Sequence, residues 1–210
     1  VDDGSSDGSY EHICSRLGKD KDEVVKGIVD NVPVVLLRNE KPTGPSAARN
    51  RLIKYCMEQA DIFAMLDADD EMVEGKISQA VVKFIHDPLR IGLVYTDHII
   101  KNEEKQTLIY EAREPYDRNR LERENIISNA PIISKRALQT VGLYDENLRT
   151  CEDWDLYLRI TEHFVAIHIP KPLQLYRVTG VNATHTVDTS VWQRNWQMVQ
   201  YKLQQRKNVS

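Results

Sequence analysis

Between residues 32 and 100, short apolar runs alternate with stretches in which apolar residues recur about every fourth position. Residues 33–37 (PVVLL) are apolar throughout and include the β-branched Val34 and Val35, which suits a strand buried on both faces. Residues 43–46 (TGPS) then break the chain and open a helix whose stripe is Ala48, Leu52, Cys56 and Ala60. Residues 62–66 (IFAML) predict a second buried strand, which stops at the acidic run 67–70 (DADD). A helix over residues 75–86 places Ile77, Val81, Phe84 and Ile85 on one side, and residues 91–100 (IGLVYTDHII) predict a third strand. Strand, helix, strand, helix, strand is the order of an α/β sheet joined by crossover helices.

The second half is less regular. Residues 110–125 are highly charged and contain Pro115, which predicts a loop with some helix. Residues 130–134 suit a short strand, and residues 135–141 a short helix stopped by Gly142. Residues 152–163 predict a helix carrying Glu152, Asp153 and Asp155 in its first turn, where carboxylates suit the helix dipole. Residues 164–169 and 173–178 predict two strands separated by prolines. Residues 190–207 form an amphipathic pattern with Trp192, Trp196, Val199 and Leu203 at helical spacing.

Composition narrows the class. With 210 residues, 41% of them hydrophobic and 29% charged, the chain is neither disordered nor a membrane bundle. Its 28 basic and 32 acidic side chains leave a formal charge of −4, without the basic stripe of a nucleic-acid-binding protein. No apolar run approaches the roughly 20 residues that cross a bilayer. Cys14, Cys56 and Cys151 are odd in number, far apart and outside CxxC spacing. They predict reduced thiols of a cytoplasmic protein, not a disulfide framework or a zinc site.

Three acidic clusters carry the candidate chemistry: Asp2/Asp3/Asp7, Asp67/Asp69/Asp70 and Glu152/Asp153/Asp155. The middle cluster sits at a strand's carboxyl end, where α/β sheets gather ligands. Three carboxylates in four residues repel one another unless a cation neutralises them, and all-oxygen ligands favour Mg²⁺ or Mn²⁺. Capping of the following helix by water-facing aspartates accounts for the same residues. For the first cluster, hydrogen bonding to a nucleobase or ribose stands beside an Asx turn and helix cap. In the third cluster Trp154 and Leu156 imply a partly enclosed carboxylate, which can serve as a general base.

Four motifs in order resemble the inverting nucleotide-sugar glycosyltransferases of family 2. They are VDDGSSDGS (1–9), GPSAARN (44–50), LDADD (66–70), and GLYDE (142–146) followed by EDWDLYLR (152–159). The resemblance covers residues 1–186 and implies a GT-A fold: an α/β, Rossmann-like mixed central sheet flanked by helices, with a smaller acceptor-side region. On that pattern residues 1–100 form the donor-binding part, residues 101–186 the acceptor and catalytic-base part, and residues 187–210 a C-terminal amphipathic helix.

The family implies roles for single residues. Asp3 resembles the carboxylate that recognises the nucleobase, with Asp2 beside it. Asp67 and Asp69 resemble the DxD pair that contacts the ribose and the diphosphate-bound Mn²⁺ or Mg²⁺; Asp70 is a further metal candidate, because the register within LDADD can slip by one. Asp153 resembles the base and Glu152 its positioning partner. Arg49 either reaches the nucleotide or packs at the surface. Residues 176–185 resemble a segment that closes over the donor phosphates, with His185 either a third metal ligand or an ordinary histidine.

The implied activity is transfer of a sugar from a nucleoside-diphosphate sugar, a UDP-sugar being favoured, to a saccharide, lipid-linked or protein acceptor, with inversion. Synthesis of cell-envelope polysaccharide or glycoconjugate is the implied setting. The rivals are a catalytically impaired nucleotide- or sugar-binding domain of the same fold and a metal-dependent nucleotidyltransferase, although no Gly-rich basic phosphate loop is found. The family usually opens with a strand and turn well before the DDGS run, so the resemblance predicts an upstream segment that would complete the donor pocket. The Trp192/Trp196/Val199/Leu203 stripe, near Lys202, Arg206 and Lys207, has three readings: packing on the domain, pairing with a second copy, or resting on the inner membrane surface.

Overall fold

The computed structural model describes residues 1–180, 182 and 186–208. Its packing divides the chain into two units, Val1–Gln59 with Tyr144–Arg149, and Ala60–Leu143 with Thr150–Ser210.

The first unit contains α1 (Ser9–Leu17), β1 (Val24–Val29), β2 (Val32–Leu37) and α2 (Pro45–Cys56). β1 and β2 pair as an antiparallel hairpin, Val24 opposite Leu37 and Val29 opposite Val32. Asp30 and Asn31 make its turn with φ of 49° and 64°, the left-handed conformation that Asp and Asn tolerate best among non-glycine residues. The expectation for residues 33–37 is met only at the end of β2: Leu36 and Leu37, on opposite faces, are both buried, whereas Pro33 is exposed and Val34 and Val35 are half-buried. α1 covers the Leu36 side, packing Tyr10, Cys14 and Leu17 against Val25 and Leu36. The helical stripe shifts as well. α2 buries Ser46, Ala48, Asn50 and Ile53, Leu52 and Cys56 are half-buried, and Ala60 lies beyond the helix end. The reason is polar. The Asn50 amide exchanges hydrogen bonds with the Tyr144 backbone, accepting from its N–H at 3.0 Å and donating to its carbonyl at 2.9 Å.

The second unit is built on a mixed sheet. Its elements are β3 (Ile62–Ala64), β4 (Glu71–Met72), α3 (Lys76–His86), β5 (Ile91–Asn102), β6 (Thr107–Glu111), α4 (Arg118–Leu121), β7 (Ile132–Ser134), α5 (Lys135–Val141), α6 (Glu152–Ile160), β8 (Val165–Val178) and α7 (Thr189–Lys207). The strand order is β3-β7-β5-β8-β4, with β6 paired to β5. Among these pairs only β5 and β8 run parallel. The mixed sheet is as the resemblance implies, and β3 and β5, each antiparallel to β7, run in the same direction, as a crossover through α3 requires; what differs is β2, which pairs with β1 outside this sheet. β7 comes from late in the chain and inserts antiparallel between β3 and β5, a non-local pairing that local periodicity does not encode. The two strands predicted after residue 164 are one, β8. Its prolines fall at a register shift, where Thr96 faces Ile169 and Asp97 faces Pro172, so the missing N–H donors interrupt the ladder without ending it.

Central position explains the first eight residues of β5, all buried. At Gly92 a Cβ would stand 2.5 Å from the Phe164 Cβ and 2.6 Å from Ile160, so only glycine admits the end of α6 there. The helices are corrected in detail. α3 buries Lys76, Ala80 and Phe84, whereas Ile85 is 73% exposed and Ile77 is also exposed. Val199 and Leu203 of α7 are core, as domain packing requires, while Trp196 is largely exposed and stacks on Trp154 at 6.4 Å. Among the described residues no helix is long and apolar enough to cross a membrane.

Candidate active site

In the first unit the DDGSSDGS run divides its carboxylates between several tasks. The Asp2 backbone bridges to the end of β2, its N–H donating to the Leu37 carbonyl at 2.8 Å. Its buried carboxylate pairs with Arg38, which also donates to the Ser5 carbonyl at 3.0 Å. The half-buried Asp3 carboxylate accepts from Asn39 Nδ2 at 2.7 Å, from the Thr43 N–H at 2.9 Å and hydroxyl at 2.8 Å, and from the Gly44 N–H at 2.8 Å. Burial pushes its pKa up, but these donors together outweigh burial and hold it below the ordinary carboxylate value. Asp3 therefore stays ionised and organises the turn that starts α2. Asp7 makes the Asx turn, accepting from the Ser9 N–H at 3.0 Å. The Arg49 guanidinium lies 5.5 Å from the centre of the Tyr144 ring.

In the second unit the chain leaves β3 and turns through 67–70, the Asp70 N–H donating to the Asp67 carbonyl at 3.1 Å. The three aspartates separate there. Asp70 is 6% exposed and accepts from Asn129 Nδ2 at 3.0 Å, Gln174 Nε2 at 3.1 Å and the Arg177 N–H at 3.1 Å. Burial, with the charges of Asp67 and Asp69, pushes its pKa up. Close by, Lys76 is 1% exposed and donates to the Ala130 carbonyl at 2.7 Å and Gln174 Oε1 at 3.1 Å. Burial pulls the Lys76 ammonium down to about 8 against the attraction of Asp70. Asp67 and Asp69 are only half-buried, and Asp69 accepts from Asn182 Nδ2 at 2.8 Å.

Asp67 and Asp69 are two half-buried hard-oxygen donors just beyond the carboxyl end of β3. Among the described residues no three His, Cys, Asp or Glu side chains form a ready-made ligand set. The pair fits a Mg²⁺-like ion, which typically takes one or two protein carboxylates and completes its shell with phosphate oxygens and water. Asp70, enclosed by its amide donors, supports the loop. His185 lies outside the described residues.

The third cluster opens α6 after Cys151, whose φ is 60°. Burial, with Asp153 and Glu152 nearby, pushes the Cys151 thiol up to about 11, so it stays protonated at neutral pH. Glu152 and Asp153 are half-buried. The Asp153 carboxylate accepts from the Trp154 N–H at 2.7 Å and Asn125 Nδ2 at 3.1 Å. Asp155 points elsewhere. It is fully buried and pairs with Arg159 at 2.9 Å and Lys202 at 2.9 Å.

The supporting amides and the buried ammonium have no signal in the sequence. Asn125, Asn129, Gln174 and Asn182 stand in no motif, and Lys76 at the start of a helix reads as a surface residue. Only the sheet brings them against the aspartates. A cavity of about 570 Å³ opens beside the segment that leads into Asn125, with Tyr116, Arg120, Arg123 and Glu124 among its walls.

Comparison with known proteins bears on the family and the fold. A family model described as Glycosyl transferase family 2 matches residues 1–137. Over 186 residues the chain is 22% identical to a Bacillus subtilis (strain 168) protein named "Uncharacterized glycosyltransferase YwdF", covering 85% of this chain and 67% of that one. Among solved structures, residues 1–349 of S. aureus TarS superpose with a TM-score of 0.58 at 16% identity, over 84% of this chain and 50% of that one. A second S. aureus TarS structure gives 0.55 at 16% identity, over 86% of this chain and 30% of that one. The chain thus spans half or less of the TarS chains, and the likeness at this identity is one of fold.

Proposed function

The chain belongs to glycosyltransferase family 2, and on that premise we propose that it moves a sugar from a nucleoside-diphosphate sugar to an acceptor hydroxyl with inversion. Synthesis of a polysaccharide or glycoconjugate is the proposed setting. The observation that carries this reading is the contrast within each acidic cluster of the second unit. Asp67, Asp69 and Asp153 are only half-buried, while Asp70 and Asp155 are enclosed by donors and cations.

The chemistry follows from charge. An acceptor hydroxyl is a weak nucleophile at neutral pH, and Asp153 takes its proton as it attacks the anomeric carbon from the face opposite the phosphate. One displacement inverts that carbon and needs no covalent sugar–enzyme intermediate. Glu152, next to Asp153 in the first turn, helps to position that base. Asp67 and Asp69 would hold Mn²⁺ or Mg²⁺, which when bound supplies positive charge to the leaving diphosphate. In the first unit the ionised Asp3 carboxylate accepts a nucleobase N–H, Asp2 beside it is paired with Arg38 and fixes the same run, and Arg49 contributes to the nucleotide side.

A calorimetric titration of UDP-, GDP- and dTDP-sugars, with and without Mn²⁺, tests the reading alongside an assay of the released product. One nucleotide class, UDP being favoured, should bind more tightly with Mn²⁺ and yield a nucleoside diphosphate. Asp69→Asn should weaken Mn²⁺-dependent donor binding by about tenfold or more, the usual cost of a lost charged ligand contact. Binding without turnover would favour a catalytically impaired binding domain, and release of pyrophosphate a nucleotidyltransferase.

A further inference from the structure

Among the described residues, seven backbone carbonyls of the segment running from Leu121 to Ala130 are gripped by side chains, that of Glu122 by Gln200 Nε2 at 2.8 Å. Trp154 Nε1 donates to Leu121 at 2.7 Å, and the Tyr157 hydroxyl to Ser128 at 3.2 Å. The Arg113 guanidinium donates to Asn125 at 3.1 Å and to Ile126 and Ile127 at 3.3 Å each, and Lys76 donates to Ala130 at 2.7 Å. Arg113 is itself anchored, because its N–H donates at 2.8 Å to Asp97, a fully buried carboxylate that also holds Tyr110 at 2.6 Å and His168 at 2.7 Å.

With its backbone held in this way, the segment presents two side-chain amides to two carboxylates. Asn129 Nδ2 meets Asp70 at 3.0 Å, and Asn125 Nδ2 meets Asp153 at 3.1 Å. The orientation of the Asn125 amide follows from its other end, where Oδ1 accepts the Ile127 N–H at 3.2 Å. A flipped amide would bring two donors together at Ile127 and an oxygen against the Asp153 carboxylate, so Nδ2 must face Asp153. Asn125 on one Asp153 oxygen and the Trp154 N–H on the other fix the rotation of that carboxylate.

We propose that Asn125 is a positioning residue for Asp153, holding its carboxylate turned for proton abstraction. The inference rests on Asp153 being the base. A hydrogen bond to a charged acceptor is strong enough that its loss is expected to slow the step by about tenfold or more.

The test uses the intact protein with Mn²⁺ and UDP-glucose, UDP-N-acetylglucosamine and GDP-mannose, reading release of UDP or GDP. Asn125→Asp keeps the shape and the acceptor for Ile127 but removes the donor, and Asn125→Ala removes both. Each should lower kcat by about tenfold or more while donor affinity and melting temperature stay near those of the parent. Asn125→Asp combined with Asp153→Asn should be no slower than Asp153→Asn alone, since the two residues act as one unit. Full kcat in both Asn125 variants, with Asp153→Asn inactive, would overturn the role of Asn125 and leave the base assignment standing. A parallel fall in kcat, donor affinity and melting temperature would make Asn125 a fold residue and overturn it too. An active Asp153→Asn would overturn both assignments.

Discussion

Asp153→Asn is expected to lower sugar transfer by about a thousandfold, with donor affinity and melting temperature near those of the parent. Positioned acid–base catalysis contributes about 10²–10⁴ in rate, and an amide cannot take the acceptor's proton. The side chain keeps its volume and can still accept from the Trp154 N–H through its remaining carbonyl oxygen. Because Asp153 is half-buried at the start of α6 and outside the core clusters, the fold loses little. Nucleoside diphosphate release under single-turnover conditions, beside a donor titration, separates chemistry from binding. Transfer at the parent rate would remove Asp153 from the mechanism.

Asp155→Asn, the same chemical change two residues along, should have the opposite profile. Successive α-helical residues are about 100° apart, so residues two apart face nearly opposite directions. Asp155 accordingly points inward, with no exposed surface, and draws together Arg159 of its own helix and Lys202 of α7. Arg159 in turn donates to the Val141 carbonyl at 2.8 Å and the Leu143 carbonyl at 2.7 Å, which ties the end of α5 to α6. Removing the carboxylate charge leaves these cations facing one another around an enclosed site. Breaking a buried pair costs about 3–5 kcal/mol, and the lower end applies here because the cations keep some contact with water. A urea unfolding midpoint should fall accordingly, while any fraction that remains folded keeps donor affinity. An unchanged midpoint would show that Arg159 and Lys202 are held by their other partners.

The same contrast shows how far residue patterns reach. EDWD announces three carboxylates in a first helical turn, and the turn is there as Glu152, Asp153 and Asp155. Which carboxylate is enclosed depends on α7, whose Lys202 lies far along the chain. DADD likewise announces a strand end with repelling charges, yet the burial of Asp70 comes from Asn129 and Gln174. Residues 135–141 become α5 as read, because Ser134 accepts from the Ala137 N–H at 3.2 Å and Gly142 stops the helix. The hairpin of β1 and β2 had a local signal in its Asp30–Asn31 turn, whereas the insertion of β7 between β3 and β5 had none.

By itself the sequence determined the family, the presence of most helices and strands, and the three places where carboxylates gather. Those properties rest on near neighbours in the chain: apolar spacing, caps, turn residues and motif order. Tertiary structure alone decided the strand order, the single long β8, the exposure of Ile77 and Ile85, and the division of each acidic cluster into enclosed and half-exposed members. A carboxylate's orientation depends on the donors brought to it from distant segments. For Asp153 that donor is Asn125, and for Asp70 they are Asn129, Gln174 and the Arg177 N–H.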